Sequence, residues 1–241
     1  MKKIFSILAL FITISLVSFA QQAKMNVHTN DGKITTYELD KIDSLTFTPC
    51  NTPQDTTVSI CDQVWMKKNL DVDHYRNGDP IPQVTDPTQW ANLTTGAWCY
   101  YNNDPANRTT YGKIYNWYAV NDSRGLAPVG WHIPTDAEWT ELENCLGGES
   151  VAGGKMKETG TTHWLSPNTG ATNESGFTAL PGGSRSYMNG LYYEIGQSGA
   201  WWSSTEFTPF AYGRYIVYNS ANFNRDQYYR TNGFPVRCVK D

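Results

Sequence analysis

Tyrosine, asparagine and arginine crowd into one framed segment near the end of this chain. Trp-Trp-Ser-Ser-Thr at 201–205 opens the frame and Gly-Phe-Pro-Val-Arg-Cys-Val at 233–239 closes it. The chemistry these residues offer is recognition. Tyrosine gives wide, rigid contact at low entropy cost, and asparagine gives adaptable hydrogen bonds. The candidate contact residues are Tyr212, Arg214, Tyr218, Asn219, Asn222, Asn224, Arg225, Tyr228 and Tyr229. In alternating strands only about half of them point outward together. The competing reading is a set of ordinary surface strands in an aromatic-rich β domain.

A second polar stretch, Ser166 to Glu174, is rich in oxygen donors. Asn168, Asn173 and Glu174 are candidate calcium ligands, since calcium takes about six to eight oxygens. The spacing is not that of an EF-hand. Side chains bonding to backbone, with Glu174 capping an amide, account for the same residues. No other cofactor is implied.

Catalysis has less to stand on, and no catalytic residue is expected. His74 follows two aspartates in a polar stretch, His132 lies just before a helix start, and His163 adjoins Trp164 in a loop. Each reads as structural or exposed. Ser203 and Ser204 lack the glycine-flanked elbow of a hydrolase nucleophile. Glu138 is explained by helix capping. One or two exposed tryptophans among Trp98, Trp117, Trp131, Trp139, Trp201 and Trp202 would offer a platform for a sugar ring, the others being core.

Residues 1–20 read as a secretory signal peptide, with Lys2 and Lys3, an apolar run from Ile4 to Val17, and small residues before Gln21. No other stretch is long and apolar enough to span a bilayer, so the mature chain is expected to carry no membrane span and to be exported to the periplasm, cell surface or medium. Five cysteines suit an oxidising compartment. Their spacing is that of neither a zinc site nor a redox dithiol, and it does not fix their pairing. The preferred bridges are Cys145 with Cys238 and Cys50 with Cys61. Net charge is −4 with no basic patch, which argues against nucleic acid as a partner.

The elements that must position these residues are short. Residues 21–48 read as a small β module. Lys24–Thr29 and Lys33–Leu39 are strands around an Asn-Asp-Gly turn, and Leu45–Phe47 is a third strand. Residues 49–57 are a linker, and the main domain spans 58–241. In it, Val58–Met66 reads as one or two strands, Pro87–Trp90 as a helical turn, and Ala97–Tyr101 as a strand. Lys113–Val120 is a run of helix or strand type. The clearest helix is Asp136–Leu146, capped by Thr135 with Glu138 three residues on and stopped by Gly147-Gly148. A second includes Ala152–Lys157. Short strands are expected at Gly176–Leu180, Tyr192–Ile195, Trp201–Ser203, Gly213–Tyr218 and Phe234–Val239.

Several blocks in order carry a resemblance: Gln63-Val64-Trp65-Met66 with Asn69-Leu70, then Tyr111–Val120, and Gly130–Trp139 after Leu126-Ala127-Pro128. Asn173–Phe177 with Leu180–Gly183 follows, and then Trp201–Thr205. Over about residues 58–241 the chain resembles the Fibrobacter succinogenes major paralogous domain. The N-terminal module resembles a segment common in exported proteins of Bacteroidetes-type bacteria. Pro134–Trp139 and Gly233–Cys238 are distantly similar to motifs of formylglycine-generating-enzyme domains. The paired cysteines of those enzymes have no counterpart beside Cys238, so that activity is not carried over. The resemblance implies an α+β, C-type-lectin-like domain with small antiparallel sheets, one or two helices and long structured loops. Some relatives of that architecture are diversified ligand binders, whose variable positions correspond to Phe207–Asn232 here.

The expectation is an exported, non-catalytic module of the cell envelope or surface that binds an extracellular protein or glycan through the C-terminal segment. A structural or assembly component of the surface and an enzyme acting on extracellular polymer are the alternatives.

Overall fold

The computed structural model describes residues 24–28, 34–38 and 56–241. The chain divides into two compact units, residues 1–52 and 53–241. In the first, β1 (Lys24–His28) and β2 (Ile34–Glu38) pair antiparallel, with Lys24 opposite Glu38 and His28 opposite Ile34. This is the expected hairpin. The expected third strand, the signal peptide at 1–20 and Cys50 lie outside the described residues.

The second unit is α+β. It opens with β3 (Thr57–Ile60), β4 (Gln63–Met66), α1 (Pro87–Ala91), β5 (Trp98–Cys99), α2 (Arg108–Tyr111), β6 (Ile114–Asn116), α3 (Trp117–Val120) and β7 (Trp131–His132). The two longer helices follow, α4 (Asp136–Cys145) and α5 (Glu149–Met156). The chain then turns to β8 (Gly182–Arg185), β9 (Tyr192–Ile195), β10 (Ser198–Phe207), β11 (Phe210–Val217), β12 (Asn224–Tyr229), β13 (Gly233–Phe234) and β14 (Val239–Lys240). One sheet runs β12-β11-β10-β8-β13-β6-β5, with β9 paired to β8, and a smaller one runs β3-β4-β14-β7.

Local chemistry explains these boundaries. At α4 the hydroxyl oxygen of Thr135 accepts from the Glu138 N–H at 3.2 Å, and the Glu138 carboxylate accepts from the Thr135 N–H at 2.7 Å. That is the expected capping box. The aromatic run 113–120 divides at Asn116, whose Oδ1 accepts from the Ala119 N–H at 3.1 Å and so caps α3 as β6 ends. The expected strand at Gly176–Leu180 does not form. Gly176 and Thr178 have φ of 71° and 54°, in the left-handed region, where a strand cannot continue.

Two cores share β10 as a wall. Trp202 joins Tyr115, Trp117, Phe234 and Val236 on one side. Its neighbour Trp201 joins Trp65, Trp139, Phe177 and Phe223 on the other. Side-chain alternation along a strand makes both burials possible. Fully burying a large aromatic side chain contributes about 1.5–3 kcal/mol, and the indole N–H groups are paired as well. Trp201 donates to Asn69 Oδ1 at 2.9 Å, Trp202 to the Tyr115 carbonyl at 2.8 Å, and Trp117 to the Ser203 carbonyl at 2.9 Å. Helix α5 rests directly on the loop after β11: a Cβ at Gly153 would lie 2.2 Å from the Asn222 carbonyl oxygen.

Because so much of the unit is loop, buried cations take over part of the work of backbone pairing. Arg185 donates to the carbonyls of Gly190, Val84 and Thr85 at 2.8, 2.6 and 2.9 Å. Lys157 donates to those of Thr169, Val217 and Ser220 at 2.8, 3.2 and 2.8 Å. Most of these carbonyls lie in loops, and those of Gly190, Val84, Thr169 and Ser220 take their donor from these side chains.

The disulfide joins Cys61 to Cys145, with Cα atoms 6.6 Å apart. This corrects both expected pairings. The turn of the β3–β4 hairpin lies against α4, where Gln63 Nε2 donates to the Glu138 carbonyl at 3.1 Å. Cys61 therefore meets the end of that helix. Cys238 is enclosed with Tyr115 and Val236 in the first core and remains a buried thiol, as does Cys99.

Candidate recognition face

The framed segment folds into β11 and β12, and their register sorts the candidates. Phe210 lies opposite Tyr229, Tyr212 opposite Gln227, and Arg214 opposite Arg225. Cross-strand partners share a face, so these six residues occupy one side of the sheet. The alternate set, with Ala211 opposite Tyr228, faces the first core.

The outward side is an aromatic strip. The rings of Tyr229 and Tyr187 stack with centroids 4.1 Å apart, and Phe210 meets Tyr229 edge-on at 4.7 Å. Phe207 lies 5.4 Å from Tyr212, and the Arg225 guanidinium sits 3.9 Å over the Tyr212 ring. Tyr229 and Phe207 are 45% and 43% exposed, so the strip is open although its rings hold one another in place. At its Arg225 end it adjoins a cleft of about 400 Å3 bounded by Asp136, Thr140, Glu143, Glu149, Arg214, Phe223 and Arg225.

Most of the other candidates turn out to be inward or engaged. Arg214 is 1% exposed. Its guanidinium pairs with Asp136 at 3.0 Å and Glu143 at 2.5 Å and packs on Phe223, so it forms the cleft's floor rather than its surface. Tyr228 packs against Trp202 and Phe234, and burial pushes its phenol pKa well up. Its ring also covers Gly213, where a Cβ would lie 3.1 Å from it. Asn224 is half-buried and donates to the Tyr215 carbonyl at 3.3 Å. Tyr218, Asn219 and Asn222 fall on the loop between β11 and β12. Tyr218 packs against the second core and Asn219 is exposed. The Asn222 N–H donates to Ser220 Oγ at 3.1 Å.

Tyr212, Arg225 and Tyr229 are the candidates that the structure brings together on the open face. Phe207, Phe210 and Tyr187 belong with them and were missed. The signal for the phenylalanines was present, since Phe207-Thr208-Pro209-Phe210 flanks the segment as the β10–β11 turn. Tyr187 lies outside the frame and carries no local signal.

The polar loop places its three oxygen donors in separate bonds. Asn168 Nδ2 donates to the Glu158 and Gly160 carbonyls at 2.9 and 2.6 Å, and its buried Oδ1 has no partner. Asn173 clamps Thr178 through both ends of its amide, at 3.0 and 2.9 Å. Glu174, the sole carboxylate of the three, pairs with Lys155 at 2.9 Å. A calcium ion held by Glu174 would have to displace that ammonium.

The histidines also have structural partners. His132 lies between Glu138 at 2.7 Å and Asp241 at 2.8 Å, His163 meets Glu158 at 2.7 Å, and His74 meets Asp73 at 2.7 Å. Ser203 is buried, and its hydroxyl accepts from the Thr205 N–H at 3.0 Å. Among the described residues no group of three or more His, Cys, Asp or Glu is placed to hold a metal ion, and no helix is long and apolar enough to cross a membrane.

No curated protein and no solved structure matches the chain. The family described as Fibrobacter succinogenes major domain matches residues 58–240, and the chain belongs to that family.

Proposed function

We propose that this chain is an exported, non-catalytic binding module of the bacterial cell envelope or surface. Residues 58–241 have C-type-lectin-like architecture in this reading, and the recognition face is the open end of the β10–β11–β12 sheet. One observation carries it: Tyr229, Tyr187 and Phe210 pack into a strip that stays open to solvent, with Arg225 over Tyr212 at one end. Aromatic and arginine side chains dominate binding hot spots, and rings already held by one another lose little freedom when a partner arrives. An extracellular protein or a glycan is the class of ligand that fits such a strip. The test is binding to glycan and cell-envelope protein arrays. Combined Tyr212→Ala, Arg225→Ala and Tyr229→Ala changes are expected to abolish the interactions detected, and retention of every one of them overturns the face.

A second reading, an assembly component of the surface, rests on the first unit. Its two described strands, β1 and β2, pair only with each other among the described residues, and a two-stranded sheet is marginal alone and invites a partner strand. Sedimentation with and without residues 21–48 separates the two: self-association that disappears with those residues favours assembly.

A further inference from the structure

We propose that a second site, beside Arg237, binds an acidic monosaccharide: a sugar ring carrying one carboxylate and several hydroxyls. The site is a cavity of about 350 Å3 whose walls include Lys68, Thr109, Thr110, Leu180 and Arg237. An adjoining cavity of about 310 Å3 shares Lys68, Thr109 and Thr110 and reaches Arg108. Both volumes are in the range of small-molecule sites. Neither cavity shares a residue with the aromatic strip, so the proposal stands independently of that face.

Arg237 carries the argument. Its side chain is 1% exposed. Nε donates to Asn69 Oδ1 at 3.1 Å, and Nη1 donates to the Met66 and Phe177 carbonyls, each at 2.9 Å. Nη2 has no acceptor and the guanidinium has no carboxylate partner among the described residues. Arginine keeps its charge in proteins, and a buried charge without a counter-ion is costly. An anion in the cavity that this side chain lines would remove that cost.

The rest of the lining narrows the ligand. The Lys68 ammonium and the Thr109 and Thr110 hydroxyls likewise have no partner among the described residues. Asp71, on the wall of the adjoining cavity, is already neutralised by Lys113 at 2.8 Å and by Arg108. The balance is cationic. Two of the three guanidinium nitrogens of Arg237 are committed, so it has no bidentate fork to offer to a carboxylate or a phosphate. One carboxylate needs only the remaining arm and the ammonium. The threonine hydroxyls suit ring hydroxyls, and Leu180 offers a sugar C–H face an apolar contact.

The experiment titrates the full-length chain with glucuronate and galacturonate, followed by amide chemical shifts at matched ionic strength. Glucose, galactose and inorganic phosphate are run in parallel. The expected result is saturable uronate binding at roughly millimolar concentration or tighter, at least about tenfold stronger than the neutral sugars and phosphate. The Lys68→Ala/Thr109→Val double variant, changed only at exposed side chains, should weaken it at least about fivefold without altering the melting temperature. Tyr229→Ala should leave it unchanged. No saturable uronate binding, equal binding of a neutral sugar or phosphate, or wild-type affinity in the double variant overturns the proposal. Loss through Tyr229→Ala would instead assign the ligand to the aromatic strip and overturn it as well.

Discussion

Arg214 and Arg225 lie directly opposite each other on β11 and β12, two like charges in one cross-strand pair. Such a pair is destabilising on its own. Asp136, in the first turn of α4, resolves it by accepting from both: from Arg214 Nη2 at 3.0 Å and from Arg225 Nε at 2.9 Å. Arg214 is buried and keeps Glu143, whereas Arg225 is 44% exposed. Asp136→Asn should therefore cost about 2–3 kcal/mol, less than a complete break of a buried pair. Arg225→Ala alone should cost under about 1 kcal/mol, as exposed pairs do. Combining the two should cost less than the sum, because removing Arg225 also removes the repulsion that Asp136 was masking. Urea denaturation of the four proteins measures this. Strict additivity would mean that Asp136 and Arg225 are not coupled.

The Cys61–Cys145 bridge closes a loop across a sequence separation of 84. In the chain-entropy account a loop of that length gives about 4.5 kcal/mol of stabilisation. Cys61→Ser and Cys145→Ser should each lose much of it, and the double variant should be no worse than either single one. Non-reducing peptide mapping should recover the two half-cystines in one linked peptide. A peptide joining Cys145 to Cys238 would contradict the arrangement.

What could be read from residue order was the chemistry of single elements. The capping box at Thr135 and Glu138 is a local pattern, and it fixed where α4 starts. Alternation also anticipated that about half of the recognition candidates would turn inward. It could not say which half, because that depends on the register with β12 and on the placement of Trp202 and Phe234. The run 113–120 was ambiguous for a specific reason. One side chain, Asn116, caps α3 while its Oδ1 also accepts from the Ala97 N–H at 3.0 Å, and the second partner lies 19 residues away. The bridge was misplaced because the closeness of the β3–β4 turn to α4 is a tertiary fact. Arg214 reads as a contact residue and Arg237 as part of the closing frame, yet acceptors elsewhere in the chain draw both side chains inward.

Lys157 is fully buried and donates to three backbone carbonyls, with the Trp164 ring 5.4 Å from its nitrogen. Lys157→Met would keep most of the volume and strand the Thr169 and Ser220 carbonyls, while the Val217 carbonyl would retain the Ser220 N–H at 3.4 Å. Each buried group left without a donor costs about 1–3 kcal/mol. A total loss of about 3–5 kcal/mol is expected, with faster amide exchange at Thr169, Tyr218 and Ser220. A loss under about 1 kcal/mol would mean that water replaces the ammonium and that the staple is dispensable.

His132 supplies the pH dependence. Burial lowers its pKa, but hydrogen bonds to Glu138 and Asp241 outweigh that and the net shift is upward. For Glu138, burial raises the pKa, while bonds from the Thr135 backbone and from His132 bring the net shift down. A raised histidine pKa gives stability that is complete below the unfolded value of about 6.5 and disappears as pH rises through the folded value. A lowered glutamate pKa gives stability that is complete above the unfolded value of about 4.3 and disappears as pH falls through the folded one. Both contributions are whole between about pH 4.3 and 6.5. The difference in melting temperature between wild type and His132→Gln should therefore be greatest in that window and shrink toward pH 8 and above. His132 and Glu138 also tie the start of α4 to Asp241, so the same loss should appear as faster exchange at the Thr135 amide. A difference that grows with pH would mean that His132 is neutral in the folded chain and that the two carboxylates do not hold an imidazolium between them.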